Sequence, residues 1–206
     1  MSKIDLKREL KALYKPPKDR FTIIEVPEMN YLMIDGHGDP NTSADYQAAV
    51  EALYAVAYAV KFALKDDPQT EDYVVPPLEG LWWVEEMSEF SIEEKGAWDW
   101  TMMILQPEWV TAEVVEQALE EAARKKDLPA LDKLRFAPYD EGLAAQILYI
   151  GPYADEGPTI AALHDFIREQ GGELRGKHHE IYLSDPRRTA PEKLKTIIRQ
   201  PFHKAA

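Results

Sequence analysis

Residues 147–157 of the chain, ILYIGPYADEG, combine an apolar strand pattern with a glycine-containing turn ahead of a helical pattern. Residues 32–41, LMIDGHGDPN, repeat this arrangement ahead of a second and longer helical pattern. Outward from each stretch, both halves of the chain have the order strand, strand, helix, strand, strand. Self-similarity of this kind predicts an α+β fold with an internal structural duplication. An ordinary α+β domain without duplication is the alternative.

The predicted elements form one domain, residues 1–206, whose two halves span about residues 18–110 and 132–203. Such halves would pair or pack their sheets and leave a cleft between them, where ligands often bind. A charged hairpin is predicted between the last two strands of the first half, and Thr42 or Ser43 is placed to cap the long helix. Strands are predicted at 21–26, 30–38, 73–86, 96–107, 135–140, 142–153, 176–185 and 194–202, and helices at 3–14, 39–65, 111–126 and 155–172.

Composition and charge exclude several classes of function. The 206 residues carry a formal net charge of −13, which should repel a phosphate backbone, so no direct nucleic-acid binding is expected. The chain contains no cysteine, which excludes disulfides, thiolate catalysis and cysteine zinc sites. A charged N-terminus and the lack of a long apolar run predict neither a signal peptide nor a membrane span. A cytoplasmic monomer is therefore expected.

Tryptophans concentrate in the two predicted strands that end the first half. Because strand side chains alternate between faces, Trp98, Trp100 and Met102 share one face of their strand. In the other strand, Trp83 and Trp82 point to opposite faces. Any one of these rings would most simply fill a core, but four tryptophans within a short stretch favour a pocket. The sequence therefore predicts an aromatic wall that includes Trp83, Trp98, Trp100 and Met102.

A carboxylate and a phenol share one face of the strand near the C-terminus, where His178, Glu180 and Tyr182 alternate with residues of the other face. An acid beside aromatic rings suits flat polycyclic or cationic ligands. Only His178 and Glu180 share a face as metal ligands and no third ligand is evident, so no metal is predicted. Nucleotide-binding glycine motifs are absent from the sequence, and no cofactor is predicted.

The long helical pattern carries Tyr54 and Tyr58 four residues apart, in register with Val50 and Phe62. This spacing indicates the apolar stripe by which the helix packs on the core, although a hydroxyl could reach a cleft.

Several stretches resemble the GyrI-like small-molecule-binding proteins, in particular the stand-alone branch that includes cyclopropanoid cyclopropyl hydrolases. The resemblance covers nearly the whole chain and implies two related β-α-β-β (SHS2-like) halves. These would form a curved antiparallel sheet with helices on one side and a central ligand cleft. The stretches are YLMIDGHGDPN at 31–41, QILYIGPYADEGPTIAALHDF at 146–166 and, most specifically, KHHEIYLSDPRRTAPEKLKTIIRQPF at 177–202.

The resemblance also implies a glutamate deep in the cleft, which corresponds to Glu180. In a hydrolase, Glu180 would activate or orient a water molecule, helped by a pKa raised through desolvation. Tyr182 or Tyr149 would donate a hydrogen bond to the substrate carbonyl. From the strand faces we expect the surrounding ligand-binding residues to be Trp83, Trp98, Trp100, Met102, Tyr149 and His178.

Three functions remain open under this resemblance. The first is hydrolysis of the cyclopropane of spirocyclopropyl DNA-alkylating toxins, as a detoxifying enzyme. The second is non-catalytic binding or sensing of hydrophobic cations, and the third is protection of gyrase from poisons. The short segment before residue 21 disfavours the form in which the domain is fused to a DNA-binding domain. In each case a hydrophobic small molecule is the expected ligand.

Overall fold

The computed structural model describes residues 3–65, 67–68, 70–84 and 95–204. In this part of the chain, nine strands form a curved, open sheet in which every pair of neighbouring strands is antiparallel. The strands are β1 Thr22–Val26, β2 Met29–His37, β3 Leu78–Trp83, β4 Asp99–Leu105, β5 Arg135–Tyr139, β6 Gly142–Ile150, β7 Gly172–Leu174, β8 His178–Tyr182 and β9 Lys195–Lys204. The helices are α1 Leu6–Glu9, α2 Lys11–Tyr14, α3 Ala44–Leu64, α4 Ala112–Lys125 and α5 Gly157–Glu169.

The order of the strands shows how the two halves interlock. From edge to edge it is β1-β6-β9-β8-β3-β4-β2-β5, and the short β7 pairs with β9. Each half keeps three adjacent strands and gives its first strand to the outer edge of the other half. The strand order is therefore symmetric about the β8–β3 junction, which agrees with the predicted α+β fold of duplicated halves. The limits of the halves at 18–110 and 132–203 stay a prediction.

Cross-strand pairs assign residues to the two faces of the sheet, because directly opposed side chains point the same way. Glu180 on β8 lies opposite Gly80 on β3 and Ile198 on β9, so these residues share one face. On this face α3 and α4 pack over the strands of the first half, and α5 packs over β6 and β9. The helices leave a gap between them, and Glu180 lies at the floor of this gap.

The opposite face is covered by the short helices α1 and α2. Leu13 and Tyr14 pack there with Leu81, Ile181 and Ile197. A buried polar network lies beneath this cover. Its side chains, all at most 3% exposed, are Tyr14, Glu79, Glu141, Gln146, His179 and Arg199.

His179 is the centre of this network because each of its ring nitrogens meets a carboxylate. Its Nε2 lies 2.9 Å from Glu79 Oε2, and its Nδ1 lies 2.8 Å from Glu141 Oε1. Ionised carboxylates only accept hydrogen bonds, so both ring nitrogens donate and the ring is an imidazolium. Arg199 supplies the second positive charge, 2.9 Å from Glu141 Oε2, and ties the network to the N-terminal segment through a bond to the Leu13 carbonyl.

Three differences from the predicted elements concern described residues. The strand predicted from residue 73 begins only at Leu78, because the preceding Pro76 and Pro77 have no N–H for a ladder. The N-terminal helix is divided at Leu10, whose φ of −93° and ψ of 51° are not helical. The strand β7 was not predicted, and it is only three residues long. The charged hairpin, predicted between residues 86 and 96, lies outside the described residues except for Lys95.

The long helix α3 begins as predicted, with Ser43 Oγ accepting a hydrogen bond from the Tyr46 N–H at 3.2 Å. Among the described residues, α3 is the one helix whose length and apolar composition would be sufficient to cross a membrane. Its fully buried side chains, such as Leu53, Val56 and Val60, pack on the sheet. Packing on the sheet therefore accounts for the apolar side chains on this face of α3.

Candidate functional site

The gap between the helices is a cleft with a volume of about 1190 Å³. Its floor carries Glu180, one wall is the N-terminal half of α3 with Tyr46, and the other wall includes Tyr153 and Ile160. Tyr153 belongs to a single 3₁₀ turn, Tyr153–Asp155, which follows β6. The two structural halves thus meet at the floor and supply opposite walls.

Two neighbours on its own strand hold the Glu180 carboxylate. The hydroxyl of Tyr182 donates to Glu180 Oε2 at 2.7 Å, and His178 Nε2 lies 3.1 Å from Glu180 Oε1. An ionised carboxylate only accepts, so His178 carries its proton on Nε2. The Glu180 side chain is 12% exposed. Each carboxylate oxygen is therefore within hydrogen-bond distance of a neighbour on the same strand, which fixes the position of the carboxylate in the cleft.

A hydrogen-bond chain extends from Tyr182 to the neighbouring strand. Trp82 Nε1 donates to the Tyr182 hydroxyl at 3.0 Å, so the Tyr182 proton points to Glu180. Burial raises the pKa of Tyr182 well above its ordinary value, and the Glu180 charge raises it further. Gly80 makes room for this chain, because a Cβ there would lie 2.8 Å from Trp82 Nε1 and 3.1 Å from the Tyr182 oxygen.

Aromatic rings form the rest of the inner cleft. Tyr46 stacks on Trp82 with ring centroids 6.1 Å apart, and Trp98 meets Trp82 edge to face at 5.3 Å. Tyr153 packs edge to face on Tyr182 at 5.7 Å. Such arrangements suit a flat ligand between the walls.

Burial and the Glu180 charge raise the pKa values of two tyrosines of the cleft, Tyr153 and Tyr46. Burial raises the pKa of Tyr153 to about 12, with the charges of Glu156 and Glu180 adding to it. Burial and then Glu180 also raise the pKa of Tyr46. In the part of the chain that the structure describes, no hydrogen bond holds either hydroxyl. Both phenols are therefore neutral donors at neutral pH.

Among the residues predicted from the sequence, the structure brings Glu180, Tyr182 and Trp98 together in the cleft lining. His178 lies beneath them, 1% exposed, and contacts Glu180. Trp100 and Met102 share this face but are fully buried in the core that supports the wall. The Trp100 ring lies over Gly36, where a Cβ would come within 2.1 Å of it.

Two predicted residues lie elsewhere. Trp83 points to the opposite face of the sheet, where the Lys177 ammonium lies 3.3 Å from its ring centroid. Tyr149 shares the cleft face, but its hydroxyl donates to the Pro152 carbonyl at 3.1 Å and it does not line the cleft. Trp82 occupies the place expected for Trp83, because alternation and the pairing of Trp82 with His178 turn it toward Glu180.

Sequence reasoning also missed Tyr46 and Tyr153, which come from a helix and a turn. No strand alternation could identify them, and only the packing of α3 and the turn around β8 brings them to Glu180. Gly80 was an available signal for Trp82, since a glycine inside a strand often marks a close approach of neighbours. Among the described residues no group of three His, Asp or Glu side chains is arranged to hold a metal ion.

Comparisons with known proteins agree with this architecture. The GyrI-like small molecule binding domain matches residues 20–202. An uncharacterised conserved protein from Listeria innocua is 44% identical and covers 98% of this chain and 100% of its own, with a TM-score of 0.89. A structure described as a hydrolase encoded by lin2189 from Listeria innocua is 42% identical over the same shares of both chains, with a TM-score of 0.88.

A more distant structure, the C-terminal domain of EcmrR, shares the fold alone. It is 13% identical and covers 90% of this chain and 98% of its own, with a TM-score of 0.56. No curated protein matches the chain significantly. The family match spans most of the chain, including β8 and the Glu180 cleft. The chain therefore belongs to the GyrI-like small-molecule-binding domain family.

Proposed function

We propose that this GyrI-like domain binds planar hydrophobic or cationic molecules in its aromatic cleft and hydrolyses the cyclopropane of spirocyclopropyl DNA-alkylating compounds. The observation that carries the proposal is the Glu180 carboxylate, held by Tyr182 and His178 at the floor of the cleft. A relative at 42% identity that is described as a hydrolase supports it. The biological role would be detoxification.

The chemistry requires a base, a donor and a flat binding surface. The substrate is a cyclopropane joined to a cyclohexadienone through a shared spiro carbon. A water oxygen forms a bond to the unhindered cyclopropane carbon, the ring C–C bond breaks, and its electron pair aromatises the six-membered ring into a phenolate. Glu180 accepts the water proton as general base, and this proton then passes through solvent to the phenolate oxygen. One water is added and the product is a phenol.

Tyr153 is the donor that we assign to the dienone oxygen. The two donors expected from the sequence are committed elsewhere, Tyr182 to Glu180 and Tyr149 to the Pro152 carbonyl. Tyr46 is wedged between two indoles as part of the wall. With its pKa raised to about 12, Tyr153 stays protonated and donates a hydrogen bond as negative charge develops on the oxygen.

The contributions of the base and the donor to the rate can be measured separately from the contribution of the aromatic walls to affinity. General base catalysis gives about 10²–10⁴-fold, and one well-placed donor to a developing oxyanion gives about 10²–10³-fold. Stacking between the aromatic walls holds the electrophilic carbon against the water. The ligand's affinity therefore depends on the walls, and its turnover depends on Glu180 and Tyr153.

The test is incubation with a duocarmycin-type compound, followed by extraction and mass spectrometry. The product should be heavier by one water. Glu180→Gln should lower kcat at least about tenfold while the dissociation constant, measured by tryptophan fluorescence, changes less than about threefold. Glu51→Gln is the matched control, because this carboxylate lies at the cleft rim and pairs with Lys126. Turnover in Glu180→Gln equal to that of the control would refute the base role.

A non-catalytic binder is the second candidate. A carboxylate that is 12% exposed among aromatic rings is also a suitable counter-ion for a planar cation. A binder would return the compound intact after denaturation, with quenched tryptophan fluorescence in the complex. In that case Glu180→Gln should weaken the binding of a cationic dye and leave that of a neutral one unchanged.

A further inference from the structure

A row of aromatic side chains runs along α3 away from Glu180. Tyr54 stacks on Tyr58 with centroids 6.5 Å apart, and Tyr58 stacks on Phe62 at 6.3 Å, both with interplanar angles near 28°. The spacing of this row predicts a core stripe, with the alternative that a hydroxyl reaches a cleft. Val50 and Tyr54 at the inner end of the row do pack against the core, whereas Tyr58 is 47% and Phe62 is 61% exposed. The outer end of the row therefore leaves the core and faces solvent.

The inner part of the row is continuous with the ligand cleft. Tyr54 and Tyr58 line the same cavity as Glu180, whereas Phe62 lies beyond it in a groove between α3 and α4. Tyr46 and Tyr58 are twelve residues apart, which is about 18 Å along a helix. The wall is thus longer than a single unit of two or three fused rings.

Charged side chains face the outer part of the cleft from the segment after β8. Arg187 contacts Asp185 through Nε at 3.0 Å and Nη2 at 3.1 Å, and Arg188 approaches the same carboxylate at 3.8 Å. Two guanidinium groups thus share one carboxylate, and both are more than 80% exposed. The segment after β8 therefore presents exposed guanidinium N–H donors to the outer part of the cleft.

Arg187 lines the same cleft as Tyr54 and Tyr58. Burial raises the pKa of Tyr54, the Asp185 charge raises it further, and the Arg187 charge opposes this effect. A guanidinium that lines an aromatic cleft can supply a bound ring with both a stacking surface and a directional donor. The stacked phenols and the guanidinium together match a flat aromatic ring that bears carbonyl, ether or carboxylate oxygens.

We propose that Tyr54, Tyr58 and Arg187 form a distal subsite, which binds the second planar unit of an elongated ligand through stacking and through hydrogen bonds to its acceptor oxygens. The inference rests on the proposed function for its first unit, which would lie against Glu180. It assigns the ligand class as linked, multi-unit aromatic compounds. The distal subsite acts in affinity and selectivity and takes no part in the bond-breaking step.

The test compares two probes, a two-unit duocarmycin-type compound and its alkylating unit alone, capped with a tert-butoxycarbonyl group. Tyr58→Ala should weaken binding of the two-unit probe by about tenfold, the order of one lost aromatic stack, and that of the one-unit probe by less than twofold. Phe62→Ala is the matched control, because it removes the next ring of the row outside the cleft. It should leave the affinities of both probes within about twofold.

The outcomes separate the two proposals. Selective loss of the two-unit probe in Tyr58→Ala supports the distal subsite even if neither compound is hydrolysed, since binding is measured by fluorescence and turnover by mass spectrometry. Equal losses for both probes, or no loss for either, would overturn the subsite while leaving hydrolysis intact. Failure of wild-type protein to bind either probe would refute the subsite together with the proposed function.

Discussion

Raising the pH from 6.5 to 9 should destabilise the fold, because His179 is held as an imidazolium in the interior. The two carboxylates at its ring nitrogens outweigh the opposing effect of burial and raise its pKa from 6.5 to about 9. A histidine with a raised pKa in the folded state stabilises the fold fully below its unfolded pKa. That contribution declines as pH rises from 6.5 and is lost above about 9.

The magnitude follows from the difference between the two pKa values. Each pH unit between them corresponds to about 1.4 kcal/mol, so the interval from 6.5 to about 9 amounts to about 3 kcal/mol. For a marginally stable domain this is a large fraction of the free energy of unfolding. Deprotonation would also leave Glu79 and Glu141 with Arg199 as the remaining buried cation of the network.

The assay is urea unfolding at several pH values between 6 and 9.5, for wild type and for His179→Gln. Wild type should lose about 3 kcal/mol across this range, whereas His179→Gln should be less stable at pH 6 and nearly flat. His203→Gln serves as control, because this exposed histidine pairs with Glu173 at the surface and should keep the wild-type slope. A wild-type change below about 1 kcal/mol, or an equal slope in His179→Gln, would refute the imidazolium.

Three further predictions concern single groups. Tyr182→Phe should cost about 1–3 kcal/mol of stability in urea unfolding, because the Trp82 indole N–H loses its acceptor and Glu180 Oε2 loses the hydrogen bond from Tyr182. An unchanged stability would contradict the hydrogen-bond chain. Gly80→Ala should displace the Trp82 ring and cost about 1–3 kcal/mol, with weaker ligand binding in a fluorescence titration, and unaltered affinity would show that the ring position is unimportant. The charges of His179 and Arg199 overcome burial and hold the pKa of Glu141 at about 2, below its ordinary 4.5, so its stabilising contribution is present above pH 4.5 and lost as pH falls through 2. Acid unfolding of Glu141→Gln should accordingly depend less on pH in this range than that of wild type.

The structure brings together part of the residue set predicted for the site, and the roles of these residues stay predictions. Glu180, Tyr182 and Trp98 line the cleft, and His178 supports Glu180 from below. Strand alternation was enough to group these residues, because it shows which side chains within one strand point to the same face. Choosing between Trp83 and Trp82 required knowing which residues of β3 share a face of the sheet with Glu180. This depends on the register of the two strands, which pairs Gly80 with Glu180.

The buried ionic network was outside the reach of the sequence analysis. Strand alternation predicts only that His179 lies on the face opposite Glu180. Its partners Glu79 and Glu141 lie 100 and 38 residues away along the chain. No periodicity links residues at such separations, and only the register of β3 with β8, together with the position of Glu141 just before β6, brings their charges together.

The sequence by itself determined the class of fold, the alternation of strands and helices, and the aromatic and acidic character of one strand face. These properties depend on hydrophobic periodicity and turn residues, which are local along the chain. The tertiary structure decided which tryptophan faces Glu180, that Tyr46 and Tyr153 complete the cleft, and that the Tyr54–Tyr58 row extends it. Those properties depend on strand register and on the rotation of α3 about its axis, which long-range packing fixes.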